Sequence, residues 1–289
     1  MNDPRGSFWR KCDFHVHTPF SALANNFGSD FDPYVQTLLK KAIEKNISVI
    51  GITDYFTIEG YKKIKTEYID KDEKMKQLFT EDEIKRIKNI LLLPNVEFRL
   101  NKIVQIIKKD KEGNETKREN GRINFHILFS ENLSIKQIEE SFLHSLDFVY
   151  EADPFEPDKL KKLKVDNLEE LGKKIKNEQT EISGSDLQVG MTHAVVNDEH
   201  ITDLLTRNND FKEQYIIVVP SDEDLSEISW RSQDSHTRKI LISRSNALFS
   251  SNPNTILFGL GEKAESKDVF LSEFKSLKPC IWGSDAHDH

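Results

Sequence analysis

The chain has 289 residues, enough for one large α/β barrel or for two average domains. Its 41 lysines and arginines against 49 aspartates and glutamates give a net charge of −8, which excludes a protein that binds polyanions through overall charge alone. No apolar run reaches the length of a membrane span, and the first residues lack the apolar core of a signal peptide. We therefore expect a cytoplasmic protein with no membrane contact, in which Cys12 and Cys280 are reduced.

Strand and helix patterns alternate along the first third of the chain. A continuous apolar run is typical of a strand that is buried on both faces, and an aspartate followed by proline favours the start of a helix. The predicted elements are a strand over 12–17, a helix from Asp32-Pro33, a strand over 47–52, a charged helical region over 59–90, and strand segments over 90–98.

The rest of the chain predicts one hairpin and further strands. Strands over 102–108 and 122–129 flank a polar loop, residues 109–120, and residues 146–190 predict helices and loops. Later strands are predicted over 215–220, 254–259 and 278–284. Repeated βα units with one hairpin predict an α/β fold in which a mostly parallel sheet closes into a TIM-like barrel.

Two short strings near the two ends of the chain carry pairs of metal-binding side chains at positions i and i+2. The first is Asp13-Phe14-His15-Val16-His17-Thr18, and the second is Gly283-Ser284-Asp285-Ala286-His287. On an extended strand this spacing points both side chains of a pair to the same face. Either pair alone is equally well explained as a surface or structural pair, whereas the two together favour a polynuclear metal site.

Four further candidates lie between these strings, and nearly all the candidates are at the carboxyl end of a predicted strand. The four are Asp54, Glu97, His126 and His193. A barrel builds its site at that face, so residues distant in sequence converge there. Taken singly, His126 and His193 are better explained as hydrogen-bonded core histidines. Imidazole and carboxylate groups together suit Mn²⁺, Zn²⁺ or Fe²⁺.

Two arginines follow the predicted strand over 215–220 and are candidates for substrate binding. Arg231 and Arg244 would suit a phosphate-bearing substrate, because a guanidinium binds phosphate through paired hydrogen bonds. A helix with solvated arginines on its outer face explains the same pattern equally well.

The order of these motifs resembles that of the PHP (polymerase and histidinol phosphatase) family, over essentially the whole chain. The resemblance implies one domain, residues 1–289, with a distorted (β/α)7 barrel and a two- or three-metal phosphoesterase site. Residues 6–13, Thr18-Pro19-Phe20-Ser21 and Ser251-Asn252-Pro253 resemble one branch, the TrlF-like proteins. In that branch an N-terminal PHP domain precedes an AAA/SMC-like ATPase, so the resemblance implies that the chain is the N-terminal part of a longer protein.

The resemblance also implies ligands for two divalent ions. The first ion would be held by His15, His17, Glu97 and Asp285, and the second by Glu97, His126 and His193, with Glu97 bridging. The family's third ion needs two histidines that this chain lacks, since Leu23 and Tyr55 stand near their positions. We therefore expect the third site to be absent or altered, and Asp54 to act beside the metals rather than as a ligand.

The resemblance implies a metal-dependent phosphoesterase, and we expect a nuclease module of an ATPase-coupled protein with an anti-phage role. Asp285, His287 and Asp54 are the expected catalytic residues, and His287 would stabilise phosphoryl oxygens or protonate the leaving group. The expected partners are nucleic acid and an ATPase portion, and homo-oligomerisation is left open. A small-molecule phosphomonoesterase of the histidinol-phosphate type and a non-catalytic scaffold are the alternatives.

Overall fold

The structure is a computed structural model. It describes residues 9–21, 26–28, 30–109, 112, 114–152, 155–221, 225, 228–230 and 232–287. Leu23 and Arg231, two residues of the sequence-based predictions, lie outside the described residues.

The described residues form alternating strands and helices. The strands are β1 (Lys11–His17), β2 (Ile47–Tyr55), β3 (Leu91–Lys109), β4 (Glu115–Phe129), β5 (Asp147–Glu151), β6 (Lys159–Lys162), β7 (Tyr215–Pro220), β8 (Ala247–Phe249) and β9 (Cys280–Ile281). The α-helices are α1 (Phe31–Glu44), α2 (Glu59–Lys63), α3 (Asp72–Leu78), α4 (Glu81–Ile87), α5 (Val165–Glu178), α6 (Asp186–His193), α7 (Asp198–Arg207), α8 (Ser235–Arg244), α9 (Pro253–Gly259) and α10 (Lys267–Phe274). Within these residues, every helix is too short or too polar to cross a lipid bilayer.

Seven strands are hydrogen-bonded in the order β1-β2-β3-β4-β7-β8-β9. The pairs β1–β2, β7–β8 and β8–β9 are parallel, while β4 and β7 are antiparallel. Strands β5 and β6 form a separate antiparallel pair. The predicted α/β class and the hairpin departure from a parallel sheet are therefore confirmed.

The chain divides into two compact units, of which the first comprises Met1–Asp54, Ile58–Asn95 and Trp282–His289. In this unit β1 and β2 approach so closely that a Cβ at Gly51 would lie 2.2 Å from the Phe14 carbonyl oxygen. Helix α1 packs through a buried face that includes Tyr34, Val35 and Leu39. The spacing of these residues, one and four positions apart, is that of an amphipathic helix.

The second unit comprises Tyr55–Thr57 and Val96–Ile281. Its core is a cluster of buried phenylalanines in edge-to-face contact, with ring centroids 5.4 Å apart for Phe129 and Phe142 and 6.1 Å apart for Phe98 and Phe142. Helices α5 and α6 pack backbone to backbone, since a Cβ at Gly172 would lie 1.8 Å from the Asp186 carbonyl oxygen. Glu97 of β3 and His126 of β4 therefore lie on strands of a tightly packed unit.

Several element predictions were wrong. Residues 254–259 form helix α9 rather than a strand, because Asn252 caps the helix by accepting from the Asn254 N–H and proline occupies its first turn. Helix α1 begins after Asp30, two residues before the predicted start. The region 146–190 contains the pair β5–β6 as well as helices, and the predicted strand over 278–284 is reduced to β9. Strands β3 and β4 extend into the predicted loop 109–120.

Candidate metal centre

Three side chains of the first unit converge on one point, and we call them the β1 cluster: His15, His17 and Asp285. The Nε2 atoms of the two histidines are 3.0 Å apart. Each also approaches Oδ1 of Asp285, at 3.3 Å from His15 and 3.4 Å from His17. The two imidazoles are buried, and the carboxylate is partly exposed.

The β1 cluster forms because the segment after residue 281 runs beside β1. The Phe14 N–H donates to the Trp282 carbonyl, the His17 N–H donates to the Ala286 carbonyl, and the Asp285 N–H donates to the His15 carbonyl. The close approach needs a glycine, since a Cβ at Gly283 would lie 2.2 Å from the His15 Cβ.

Asp285 itself has an unusual backbone conformation, which the sequence does not reveal. Its φ of 51° lies in the left-handed region that residues other than glycine rarely adopt. Such conformations cost free energy and concentrate at functional sites. The carboxylate of Asp13 supports the turn by accepting from the Ser284 N–H at 2.8 Å, so Asp13 positions Asp285.

Groups behind the histidines fix the orientation of His17. Its Nδ1 lies 2.5 Å from the Ser21 hydroxyl oxygen, and its carbonyl accepts a hydrogen bond from the Tyr34 hydroxyl at 2.8 Å. A partner at Nδ1 leaves Nε2 facing Asp285, which is the arrangement typical of a metal-binding histidine. Ser21 and Tyr34 are both buried.

Charge in the β1 cluster is dominated by the histidines around Asp285. Burial acts to raise the pKa of Asp285, but a hydrogen bond from His17 and the fields of His15, His17 and His287 lower it to about 2. His287 contributes directly, because its Nε2 lies 3.1 Å from Asp285 Oδ1 and its ring stacks on His17 with centroids 4.2 Å apart. The carboxylate is therefore ionised throughout the physiological pH range.

Asp54 is buried next to the β1 cluster's strand and is held by two donors. Its Oδ1 accepts from the Thr18 hydroxyl at 2.6 Å, and its Oδ2 accepts from the Gly60 N–H at 2.7 Å. Burial raises the pKa of Asp54 to about 6, although both hydrogen bonds lower it. These contacts give Asp54 a position that supports β1 and the start of α2.

In the second unit, Glu97 of β3 and His126 of β4 form a buried carboxylate–imidazole pair. Glu97 is 2% exposed and His126 is fully buried. Glu97 Oε1 lies 3.9 Å from His126 Nε2, which is longer than a hydrogen bond. The His126 ring packs edge-on against Phe249, with centroids 5.0 Å apart. A carboxylate and an imidazole are both ligand types that divalent transition metals take in proteins.

The β1 cluster meets the size requirement of a transition-metal site. Ligands about 2.0–2.1 Å from an ion lie about 3.0–3.4 Å from one another in octahedral or tetrahedral coordination. The three separations in the cluster, 3.0, 3.3 and 3.4 Å, span this range. Two imidazoles and one carboxylate fit Zn²⁺, Mn²⁺ or Fe²⁺ as a ligand set.

The structure does not bring every predicted site residue into these groups. His193 is exposed at the end of α6, where its Nδ1 lies 2.9 Å from the Val189 carbonyl oxygen. Arg244 pairs with Asp198 and Glu199. Metal binding by His193 and substrate binding by Arg244 stay predictions.

Sequence reasoning missed the residues that support the cluster. Asp13, Ser21 and Tyr34 orient His17 and Asp285, yet a lone aspartate, serine or tyrosine carries no motif of its own. The one available signal is the position of Asp13 and Ser21 within four residues of the histidines.

No protein-family model matches the chain, and no curated protein matches it. A crystal structure of a protein from Bifidobacterium adolescentis, described as a candidate metal-dependent phosphoesterase, aligns with 96% of this chain and 88% of its own. The two share 13% sequence identity, with a TM-score of 0.37. A TM-score this low supports no inference about activity. Any functional inference must therefore come from the residues of the site.

Proposed function

We propose that the protein is a metal-dependent phosphoesterase whose β1 cluster binds one ion and whose Glu97 and His126 bind a second. The observation that carries this proposal is the convergence of two histidine Nε2 atoms and one Asp285 oxygen within 3.0–3.4 Å of one another. Each of these three atoms can offer a lone pair to a divalent ion, the imidazoles in their neutral form.

Divalent ions of this kind, when bound, lower the pKa of a coordinated water and stabilise negative charge on phosphoryl oxygens. The protein's own groups provide the orientation. Ser21 fixes the His17 ring, Asp13 fixes the turn that carries Asp285, and the lowered pKa of Asp285 keeps that carboxylate ionised. His287, beside Asp285, is placed to donate a proton or a hydrogen bond from its imidazole to a leaving-group oxygen.

We further propose that the substrate is a nucleic acid and that the protein works with an ATPase portion. The resemblance of residues 6–13, Thr18-Pro19-Phe20-Ser21 and Ser251-Asn252-Pro253 to the TrlF-like proteins supports this extension. The loss of two third-site histidines does not oppose it, because two ions suffice for phosphoester hydrolysis. A small phosphomonoester as substrate and a non-catalytic scaffold are the competing outcomes of the test.

The test is one substrate panel run with the wild type and Asp285→Ala. Single- and double-stranded DNA, RNA and several small phosphate monoesters are incubated with added Mn²⁺ and, separately, with a chelator. We expect nucleic-acid cleavage by the wild type, and none with the chelator or with Asp285→Ala. His236→Ala is the matched control, since His236 is an exposed histidine on α8 outside the site.

Cleavage confined to the small monoesters would replace the nucleic-acid assignment and keep the phosphoesterase. Chelator-resistant cleavage, or full activity of Asp285→Ala, would overturn the proposed function. No cleavage of any substrate by metal-bound protein would favour a non-catalytic scaffold.

A further inference from the structure

Two arginines lie on the β3–β4 ribbon beyond the Glu97–His126 pair. Arg99 follows Glu97 by two residues, and Arg122 precedes His126 by four. Side chains two or four positions apart on a strand share a face, so the arginines share the face of Glu97 and His126. Strand geometry places Arg99 about 7 Å and Arg122 about 13 Å along the ribbon from these residues.

The intervening residues confirm this alternation. Phe98 and Leu100 of β3, and Ile123 and Phe125 of β4, are fully buried. The arginine face instead borders an open cavity of about 390 Å³. Its lining residues are Arg99, Ile103, Asn120, Gly121, Arg122 and Asn124. Ile103 is 60% exposed, so the cavity opens to solvent.

Both guanidiniums are held by backbone carbonyls rather than by carboxylates. Arg99 Nη1 donates to the Thr192 carbonyl at 2.6 Å, and Arg122 Nη1 donates to the Asn101 carbonyl at 2.9 Å. Among the described residues, no carboxylate forms an ion pair with either arginine. Burial and the nearby positive charge of Arg99 lower the pKa of Arg122. Two like charges are therefore held close together without an anion from the described chain.

Three other arginines of the same unit have carboxylate partners, whereas Arg238 donates to the Ile228 carbonyl and stacks on Trp230 outside this cavity. Arg118, farther along the same ribbon, pairs with Glu115, and Arg207 pairs with Asp203. Arg244 pairs with Asp198 and Glu199. Backbone carbonyls orient Arg99 and Arg122, and neither arginine has a carboxylate partner among the described residues. Asn120 and Asn124 line the same cavity. Together these side chains provide donors that suit a phosphate group.

We propose that Arg99 and Arg122 form a phosphate-binding seat that holds a phosphate of the substrate other than the one hydrolysed. This inference rests on the proposed function, because it takes the substrate to be a phosphoester. Each guanidinium uses one Nη1 atom for its carbonyl, which leaves the Nε and Nη2 donors for phosphate oxygens. A nucleic-acid strand supplies a second phosphate, whereas a small monoester would have to use the seat for its single phosphate.

Binding, rather than turnover, tests the seat. Protein kept in a chelator, the condition in which no cleavage is expected, is titrated against a short fluorescent single-stranded DNA, the matching RNA, and inorganic phosphate as competitor. The variants are Arg99→Ala/Arg122→Ala and the charge-preserving Arg122→Lys. Arg118→Ala removes a cation from the same ribbon, outside the cavity, and serves as control.

We expect the double variant to bind the oligonucleotides roughly 10- to 100-fold more weakly, as for loss of charged hydrogen bonds. The slope of log Kd against log salt concentration should fall by about one for each phosphate that the variant no longer neutralises. Arg122→Lys should lie between the double variant and the wild type, because lysine keeps the charge but not the paired geometry. Arg118→Ala should match the wild type.

The outcomes separate this inference from the proposed function. Metal content and thermal stability equal to the wild type must accompany the weaker binding, because a misfolded variant would change both. Weakened competition by inorganic phosphate with unchanged affinity for both oligonucleotides would overturn the seat as a site for a second substrate phosphate. Unchanged affinity of the double variant for all three ligands would overturn the seat, even if Asp285-dependent hydrolysis is observed.

Discussion

Two buried clusters in this protein each centre on one aspartate, and they differ in what surrounds it. We call Lys102, Asp198 and Arg244 the Asp198 cluster. Asp198 is fully buried, and its two oxygens accept hydrogen bonds from Lys102 and Arg244 separately. In the β1 cluster, by contrast, a single oxygen of Asp285 faces imidazole nitrogens.

The difference lies in the chemistry of the partners. Lysine and arginine carry only donors, so they complete the Asp198 cluster as permanent countercharges. A neutral imidazole offers a lone pair, so His15 and His17 present the same kind of atom to the centre as Asp285 does. The type of partner, rather than burial or proximity, therefore distinguishes a structural ion cluster from a metal site.

Removing the charge from the Asp198 cluster should have the largest effect on stability. Asp198→Ala leaves two cations without their shared carboxylate, and breaking a buried ion pair in this way costs about 3–5 kcal/mol of unfolding free energy. Chemical denaturation measures the loss, and metal content should be unchanged. Asp203→Ala, which removes the exposed partner of Arg207, should cost about 0.5 kcal/mol or less. Equal effects of the two changes would contradict a structural role for Asp198.

Asp285→Asn should change metal content more than stability. We expect about two ions per chain in the wild type and about one in this variant, since the amide is a far weaker ligand than the carboxylate. The free energy of unfolding measured without metal should fall by about 1–2 kcal/mol, less than for Asp198→Ala, because Asp285 is partly exposed and solvent screens its attraction to the histidines. Elemental analysis and denaturation together check the prediction. A large loss of metal-free stability would mean that Asp285 is a structural residue like Asp198.

The variant His287→Ala tests whether His287 acts in turnover or binds the metal of the β1 cluster. We expect His287→Ala to reduce turnover while most of the metal remains bound, because two histidines and Asp285 still form the cluster. Turnover on the substrate panel and metal content are measured on the same preparation. A loss of metal as large as that of Asp285→Asn would make His287 a ligand instead.

Ser21→Ala tests how far the β1 cluster depends on its supporting groups. Removing the hydroxyl next to His17 Nδ1 frees the ring to rotate, and changes of this kind lower metal affinity about 10- to 100-fold. Competition with a chelating indicator measures the affinity. Thr57→Ala removes a buried hydroxyl elsewhere and should leave the affinity at its wild-type value.

A third buried charge, Lys278, should give the smallest effect. Its Nζ donates to the Ser243 and Ser245 carbonyls, with no carboxylate as partner among the described residues, and burial lowers its pKa to about 8. Between about pH 8 and its unfolded pKa of about 10.4, the unfolded chain binds a proton that the folded chain does not. The free energy of unfolding should therefore rise with pH across this window, by about 1–2 kcal/mol after solvent screening.

The variant Lys278→Met isolates this contribution. The difference between the wild-type and Lys278→Met stability curves should depend on pH only above about pH 8. A constant difference from pH 6 to pH 10 would show that the lysine stays charged in the fold.

The sequence predicted those site residues that carry their own chemical pattern. His15, His17 and Asp285 were found because i, i+2 spacing on a strand places side chains on one face. Glu97 is a candidate because a carboxylate on an apolar strand is costly without a partner, and His126 because it lies among several ligand-type residues near strand ends. Four of the five lie in predicted strands and Asp285 directly follows one, and the structure brings them into the β1 cluster and the Glu97–His126 pair.

The remaining features depend on contacts that sequence patterns do not encode. Asp198 lies 96 residues from Lys102 and 46 from Arg244, so nothing local marks its ion pairs. The left-handed backbone at Asp285 arises from hydrogen bonds to β1 at the other end of the chain. The wrong prediction of a strand over residues 254–259 has a different cause. Asn252-Pro253 is a helix-start pattern that the sequence contains, but the prediction followed the apolar residues after it instead.

The most direct test of the contrast between the two clusters is an anomalous-scattering map from crystals grown with Mn²⁺. We predict a manganese peak among His15 Nε2, His17 Nε2 and Asp285 Oδ1, and none beside Asp198. The absence of a peak at the β1 cluster in metal-loaded protein, or a peak at the Asp198 cluster, would contradict the assignment of the β1 cluster as the metal centre.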